Sequence, residues 1–317
     1  MDGDGKQGGT VSSRPDGIEI FNTPDGVTWL FTMPGLKGGN AMQQEIRRSV
    51  IAGSWYPGDP KILRSKIEGY LRNVPDLDIG GEVIGLVAPH AGYIYSGQVA
   101  AYAYKQIRGK VYDAVIVVSP SHHYHFEGVS LYRNGGYETP LGVVPVNEEL
   151  SEKLLAASPL VADLPAAHAG EHALEIQLPF LQVALGAFTL VPLVMGSQDK
   201  QTCEGLAEAI HQAAGANVLI VGSSDLSHFH SYNEAVRMDK IVINRLAGMD
   251  APGLLRDLSA GYGEACGGGP AATTLMAAVK RGAGRAEILR YANSGDVTGD
   301  RGNVVGYVAA AFLRDET

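Results

Sequence analysis

Four of the nine histidines lie just after short apolar runs that are typical of buried β-strands. These are His90 after residues 83–88, His122 and His123 after residues 114–118, and His228 after residues 218–221. In open α/β sheets, ligands bind beyond the carboxyl ends of the strands, so we expect these side chains to meet there. Neutral imidazole binds transition metals, and imidazole also moves protons near neutral pH. The pattern therefore predicts a metal site or an acid–base site.

A metal site of this kind also needs an anionic ligand, because two or three imidazoles with one anion are typical of Zn, Fe or Cu centres. The candidates are Asp225, Glu175, Glu264 and the thiolate of Cys266. Cys266 lies in a glycine-rich segment, residues 261–270, directly before a predicted helix over residues 271–280. The partial positive charge at the start of that helix favours a thiolate. The sequence leaves the choice among the four open.

The sequence contains a zinc-peptidase pattern, but the helix that its chemistry requires is not predicted. Residues 168–172 match the pattern HxxEH, whose chemistry needs both histidines on one helical face. Gly170 disfavours a helix at this point. We expect instead a helix over residues 171–185, with His172 and Glu175 turned toward the site because they are three positions apart.

Other candidate groups are weaker. The tyrosine-rich stretch after His90 predicts an aromatic wall, with Tyr93 or Tyr95 in contact with a ligand. The glycine-rich loop at Cys266 lacks both the P-loop lysine and GxGxxG spacing, so it does not predict a phosphate site. No GxSxG nucleophile elbow occurs in the chain. Cys203 is interpreted as an idle, buried thiol.

Strand-like and helix-like segments alternate from about residue 47 onward. Strands are predicted at 83–88, 114–118, 188–194, 218–221 and 303–312, and helices at 62–74, 100–107, 148–156, 171–185, 203–213 and 271–280. Such alternation indicates βαβ units, and continuous apolar strands indicate burial on both faces. The predicted fold is a single large α/β domain with a central, mostly parallel or mixed sheet flanked by helices.

The first 45 residues differ from the rest. Two β-like runs, residues 17–22 and 27–33, flank the turn signal Thr-Pro-Asp-Gly at residues 23–26. We expect a tail and hairpin extension over residues 1–45 and one domain over residues 46–317. A single domain is preferred because motifs as distant as His90 and Cys266 must meet in space.

Composition narrows the function classes. The net charge is −9, from 34 acidic and 25 basic residues, which argues against nucleic acid or an anionic membrane as a partner. No apolar run reaches the ~18–20 residues of a membrane span, and the N-terminus lacks the features of a signal peptide. Two cysteines form no disulfide framework. We therefore expect a cytoplasmic protein that binds a small molecule.

Together, these motifs resemble the MEMO family, also called AmmeMemoRadiSam system protein B, over about residues 46–314. The matching segments are AGSWYP at 52–57, APHAGY at 88–93, SPSHH at 119–123, Glu171-His172 with Glu175 and Leu178-Pro179, SSDLSH at 223–228 and CGGGP at 266–270. The fold of this family resembles that of the class III extradiol dioxygenases. The resemblance thus implies an α/β sheet with a metal at the strand ends.

The resemblance also implies roles for particular residues. The metal ligands fall on His90, His122 and Cys266, and Asp225 and His228 match further pocket residues. In the related dioxygenases the position like His228 serves as acid and base. Those relatives complete their site with a carboxylate where this chain offers a cysteine, and a soft thiolate shifts metal preference toward copper or zinc.

The leading hypothesis is a metal-dependent oxidoreductase, a dioxygenase in one form, that binds Fe(II), with Cu or Zn as alternatives. His228, oriented by Asp225, would move protons, with His172 as a further catalytic residue. Tyr93, His123 and Glu175 would contact a small organic substrate. Two alternatives stay open: a metal-binding or redox interaction protein without turnover, and a zinc hydrolase.

Overall fold

The computed structural model describes residues 45–315, and of residues 1–44 it describes only the backbone of three strands. These are β1 (Ser12–Ser13), β2 (Ile18–Thr23) and β3 (Gly26–Phe31). β2 and β3 pair antiparallel, which confirms the predicted hairpin; residues 24 and 25 of its turn lie outside the described residues. Internal contacts divide the chain into two compact units, residues 1–43 and 44–317.

A nine-stranded mixed sheet forms the centre of the larger unit. Its strands are β5 (Glu82–Ala88), β6 (Ala114–Pro120), β7 (Val129–Leu131), β10 (Val161–Asp163), β11 (Leu190–Met195), β12 (Val218–Ser223), β13 (Asp225–His230), β14 (Arg285–Asn293) and β15 (Val304–Arg314). The order is β10-β7-β11-β6-β12-β5-β15-β13, with β14 also paired to β15. β11, β6, β12 and β5 are parallel neighbours, whereas β13, β14 and β15 pair antiparallel. The predicted mixed sheet is confirmed.

A second, smaller sheet has three strands. It consists of β4 (Ile46–Arg47), β8 (Gly136–Thr139) and β9 (Gly142–Pro145), with β4 parallel to β8 and β9 antiparallel to it. The sequence pattern did not predict these short strands. Their importance for the site is that they position Arg47.

Helices cover both faces of the central sheet. They are α1 (Pro60–Asn73), α2 (Tyr93–Lys105), α3 (Glu148–Ala157), α4 (Ala166–Ala169), α5 (His172–Glu175), α6 (Leu178–Leu185), α7 (Lys200–Ala213), α8 (Tyr232–Ala247), α9 (Ala251–Ser259), α10 (Gly268–Lys280) and α11 (Ser294–Thr298). Alternate residues of β6 enter different cores: Val115 and Val117 pack with α1, α2 and α6, while Ile116 and Val118 pack with α3 and α7. This two-sided burial explains the continuous apolar strands. None of the described helices is long and apolar enough to cross a membrane.

The single helix predicted over residues 171–185 is wrong. The segment forms two helices, α5 and α6, and the short helix α4 precedes them. Pro179 in the first turn of α6 lacks the N–H that a continuous helix requires, and it also restricts the residue before it. At the break, the Ile176 carbonyl accepts a hydrogen bond from Tyr93 Oη at 2.8 Å. The break leaves α5 free to turn toward the strand ends.

Candidate functional site

The carboxyl ends of the parallel strands bring the predicted metal ligands together. His90 follows β5, His122 follows β6, and Cys266 precedes α10, which packs against β12. Cys266 Sγ lies 3.0 Å from His90 Nε2, and the ring centroids of His90 and His122 are 5.2 Å apart. One ligand atom from each of the three residues lies within 4.8 Å of the others. This is a compact donor set of two imidazoles and one sulfur.

Hydrogen bonds fix the tautomer of His90. Ser223 Oγ donates to the Ala173 carbonyl at 2.6 Å, accepts from Gln177 Nε2 at 2.7 Å, and lies 2.9 Å from His90 Nδ1. Since the one hydroxyl proton is directed at the carbonyl, His90 Nδ1 carries the proton of this third bond. His90 Nε2 therefore presents its lone pair toward Cys266, as in histidines that bind a metal through Nε2.

Glu171 orients His122 in a similar way. Its carboxylate accepts from the His122 backbone N at 2.7 Å, from His122 Nδ1 at 3.0 Å and from the Ala173 backbone N at 2.8 Å. Burial raises the pKa of Glu171, but these hydrogen bonds, led by that from the His122 side chain, outweigh burial and lower the pKa to about 2. The ionised carboxylate keeps a proton on His122 Nδ1 and leaves Nε2 free to bind a ligand.

His172 completes a cluster of imidazoles with His90 and His122. It stacks on His122 with ring centroids 4.6 Å apart, and it contacts Trp55 at 4.4 Å. Burial, followed by the neighbouring His90, lowers the pKa of His172 to about 3. Burial, followed by His122, lowers the pKa of His90 to about 3 as well. Neutral imidazole is the form that binds metals.

Glycines let the Cys266 loop approach the sheet closely. A Cβ on Gly267 would lie 2.1 Å from the Ser223 carbonyl oxygen, so no other residue fits there without a shift. The expected thiolate is not favoured in this structure, because burial and then Asp225 raise the pKa of the Cys266 thiol well above its ordinary value. The influence of burial thus exceeds that of the following helix. A thiol that binds a cation nevertheless loses its proton.

Asp225 and His228 line the same cavity but do not form the predicted pair. Asp225 Oδ1 accepts from the backbone N–H groups of His90 at 2.7 Å and Ala91 at 3.3 Å. Among the described residues, Glu264 takes the place beside His228: its Oε1 accepts from the His228 backbone N at 3.2 Å and lies 3.9 Å from His228 Nδ1. The predicted orientation of His228 by Asp225 is therefore corrected: in the described part of the chain no hydrogen bond joins the two side chains, and Asp225 is engaged by the turn after β5.

A cavity of about 690 Å³ opens above these groups. Its lining includes His90, His122, His172, Asp225 and His228, of which His90 and Asp225 are buried. Its walls are apolar and aromatic: Trp55, Ile94, Tyr95, Phe229, Val305 and Tyr307. Its polar rim comprises Ser294, Thr298, Asp300 and Asn303. The volume is within the range of small-molecule sites.

Two of the predicted substrate contacts lie outside this cavity. Tyr93 is buried at the start of α2, where its hydroxyl donates to the Ile176 carbonyl at 2.8 Å. Tyr95, the alternative, is 41 % exposed and lines the wall. His123 is exposed, with its ring centroid 5.9 Å from that of His172, and it does not line the cavity.

Glu175, the third predicted substrate contact, is fully buried and engaged by other groups. Its carboxylate forms an ion pair with Arg47 and accepts from Ser49 Oγ at 2.6 Å and Tyr56 Oη at 2.6 Å. The same Arg47 donates to the Glu171 carbonyl at 2.6 Å. Glu175 thus connects β4 and the segment after it to α5, whose N-cap residue is Glu171, and both of its carboxylate oxygens are engaged.

His168 and Cys203 lie outside the candidate site. His168 is buried and hydrogen-bonded to the Tyr137 hydroxyl, and it does not line the cavity as His172 does. The two histidines of the HxxEH pattern therefore do not form a zinc-peptidase site. Cys203 is buried, and burial raises the pKa of its thiol to about 11, as expected of an idle thiol.

Sequence reasoning missed the polar rim. Residues 294–303 precede β15, which runs antiparallel to β5, so its amino end lies at the edge where the parallel strands have their carboxyl ends. The glycine- and aspartate-rich stretch SGDVTGDRGN was the available signal, since loops at strand ends carry function. The positioning roles of Glu171 and Ser223 gave no signal, because they depend on contacts between distant segments.

The fold and this cluster define an α/β protein with a candidate metal centre at the strand ends. A family model described as Memo-like protein matches residues 47–311. The chain belongs to this Memo family.

Similar proteins agree with this assignment. A MEMO1 family protein of Methanopyrus kandleri is 37 % identical over 280 residues, which cover 84 % of this chain and 99 % of that protein. One from Methanothermobacter thermautotrophicus is 36 % identical over 272 residues, which cover 83 % of this chain and 98 % of that protein. The crystal structure of the uncharacterized protein JW3007 from Escherichia coli K12 matches with a TM-score of 0.50 at 13 % identity, over 73 % of this chain and all of that one. This last likeness supports the fold alone.

Proposed function

We propose that the chain is a metal-dependent oxidoreductase that binds Fe(II), with Cu or Zn as alternatives, through His90, His122 and Cys266. The observation that carries the proposal is the convergence of these three donors within 4.8 Å. A bound Fe(II) or Cu ion would supply redox chemistry with O₂ beside a small organic substrate.

The residues around the donors fit a metal centre. His90 and His122 each give their Nδ1 proton to a fixed acceptor, Ser223 and Glu171 respectively, which directs both Nε2 lone pairs to the centre. Such outer partners are typical of metal-binding histidines. Two imidazoles and a thiolate suit Fe, Cu and Zn better than Mg or Ca, which prefer oxygen ligands.

His228 is the group in position to move a proton. It lines the cavity, and its side chain is 27 % exposed. Glu264 Oε1 accepts from the His228 backbone N and lies 3.9 Å from His228 Nδ1, which places a carboxylate beside the ring. Asp225 contributes by holding the turn that carries His90.

Metal analysis after anaerobic purification tests the ligand assignment. We expect near-stoichiometric metal in the wild type, a large loss in His122→Ala, and full occupancy in the matched control His123→Ala, whose side chain lies outside the cavity. Full occupancy in His122→Ala would refute the assignment.

An oxygen electrode then tests turnover, with a panel of catechols and aminophenols. We expect O₂ uptake that His228→Ala abolishes while metal occupancy is retained. Metal binding without O₂ uptake would favour the interaction protein. Chelator-sensitive activity under anaerobic conditions, restored by Zn²⁺ alone, would favour the hydrolase.

A further inference from the structure

The charges along the cavity have one sign. Among the described residues that line it, the ionisable groups other than His and Tyr are two carboxylates, Asp225 and Asp300, and none is Lys or Arg. Asp225 is buried and held by backbone N–H groups. Asp300 lies on the exposed rim, where it meets an entering ligand first.

Asp300 has no ion-pair partner among the described residues. Its Oδ1 accepts from the Gly302 backbone N at 2.8 Å. The adjacent Arg301 lies over the ring of Tyr232 at 4.2 Å. Asp300 is thus available to a cation in the cavity.

Three aromatic side chains in the cavity walls are exposed to solvent. Trp55, Tyr95 and Phe229 are 36 %, 41 % and 72 % exposed around the opening. Phe229 also has a positive φ of 61°, which is costly for a bulky residue and which tends to persist at ligand sites. Exposed aromatic groups around a concave site are typical of recognition surfaces.

We infer that the cavity binds a small aromatic molecule whose outer end is an ammonium or a neutral hydrogen-bonding group, and that Asp300 selects against anions. A carboxylate or phosphate at the rim would lose water without gaining a cationic partner. An ammonium would gain the attraction of Asp300 and contact with the aromatic walls. This inference rests on the proposed function, because it names the substrate class of the same cavity. Its test needs no bound metal.

Tryptophan fluorescence provides the measurement. The experiment uses the full chain with the substitution Trp29→Phe, which leaves Trp55 in the cavity wall as the remaining tryptophan. Bound metal is first removed with a chelator. The probes are 2-phenylethylamine, 2-phenylethanol and 3-phenylpropanoate, which share a ring and a two-carbon tether but differ in charge. n-Butylamine serves as the probe without a ring.

We expect the amine to bind about fivefold more tightly than the alcohol, the factor given by one contact between unit charges in water. 3-Phenylpropanoate should bind about tenfold more weakly than 2-phenylethanol, and n-butylamine about tenfold more weakly than 2-phenylethylamine. Asp300→Asn should remove the advantage of the amine over the alcohol. The matched control Asp76→Asn removes the same charge from a side chain 97 % exposed and outside this cavity, and it should keep that advantage.

Equal binding of the carboxylate and the alcohol, an amine advantage that survives Asp300→Asn, or no binding of any probe would each overturn the inference. Metal occupancy of the same protein is measured separately. A chain that binds metal without this order of affinities refutes the inference alone, and one that shows the order without binding metal refutes the proposed function alone.

Discussion

Replacing Glu175 by Gln tests the buried ion pair that connects the start of the larger unit to the site. The side chains of Arg47 and Glu175 are 4 % and 0 % exposed. The Glu175 carboxylate also accepts from Ser49 Oγ, the Val50 backbone N and Tyr56 Oη. Every one of these partners directs a proton at the carboxylate.

The cost follows from these contacts. Glutamine keeps the shape but removes the charge, so Arg47 stays buried without a counter-ion, which costs about 3–5 kcal/mol when one partner of such a pair is lost. The new amide NH₂ also faces donors, and each buried donor left without an acceptor costs about 1–3 kcal/mol. Because the two effects overlap, we expect Glu175→Gln to lower the free energy of unfolding by about 3–5 kcal/mol.

Urea denaturation followed by circular dichroism measures this loss, and the neighbouring pair provides the control. Arg48 and Glu138 lie 2.7 Å apart, but their side chains are 78 % and 33 % exposed. Glu138→Gln should cost at most about 1 kcal/mol. The reasoning is refuted if both variants lose the same small amount.

Three further predictions follow from the structure. Glu171→Gln weakens the hydrogen bond to His122, so metal affinity measured by calorimetric titration should fall roughly 10–100-fold, and an unchanged affinity would contradict the orienting role. Burial, and then Arg47, lowers the pKa of His168 to about 3, below the unfolded value of 6.5; the unfolded chain therefore binds more protons between these values, and stability falls as pH drops below about 6.5. In urea denaturation at pH 6 and pH 5, His168→Phe should reduce that slope by up to about 1.4 kcal/mol per pH unit. Phe180→Ala removes a fully buried ring stacked at 5.2 Å on Tyr104, and the same method should show a loss of about 3–5 kcal/mol.

The sequence predicted the parts of the fold that have a strong local pattern. β5, β6, β11 and β12 are continuous apolar runs, because helices cover both of their faces. β13 was not predicted, because its residues DLSHFH contain no continuous apolar run; three of them, Asp225, His228 and Phe229, line the cavity. α8 and α9 were also not predicted, although both are amphipathic.

For the site, the positions of His90, His122 and Cys266 could be anticipated because they flank elements with clear patterns. Their partners could not, because Ser223 bonds His90 across 133 residues and Glu171 bonds His122 across 49. Spacing along a helix also misplaced Glu175. The i, i+3 argument put it beside His172, whereas its charge is compensated by Arg47 of β4, a strand of the smaller sheet.

The contacts of the four acidic candidates argue for the cysteine as the anion of the centre. Glu175 is held by Arg47, and Glu264 accepts from His230 Nε2 at 2.7 Å beside His228. Asp225 comes within 4.0 Å of His90 Nε2, yet its Oδ1 is engaged by the turn after β5. Cys266 alone of the four has its donor atom at 3.0 Å from His90 Nε2 and grouped with His122 among the described residues. Because each of these three carboxylates has another partner to satisfy, the elimination that the sequence could not make favours Cys266 over Asp225, Glu175 and Glu264 as the anionic ligand of the proposed centre.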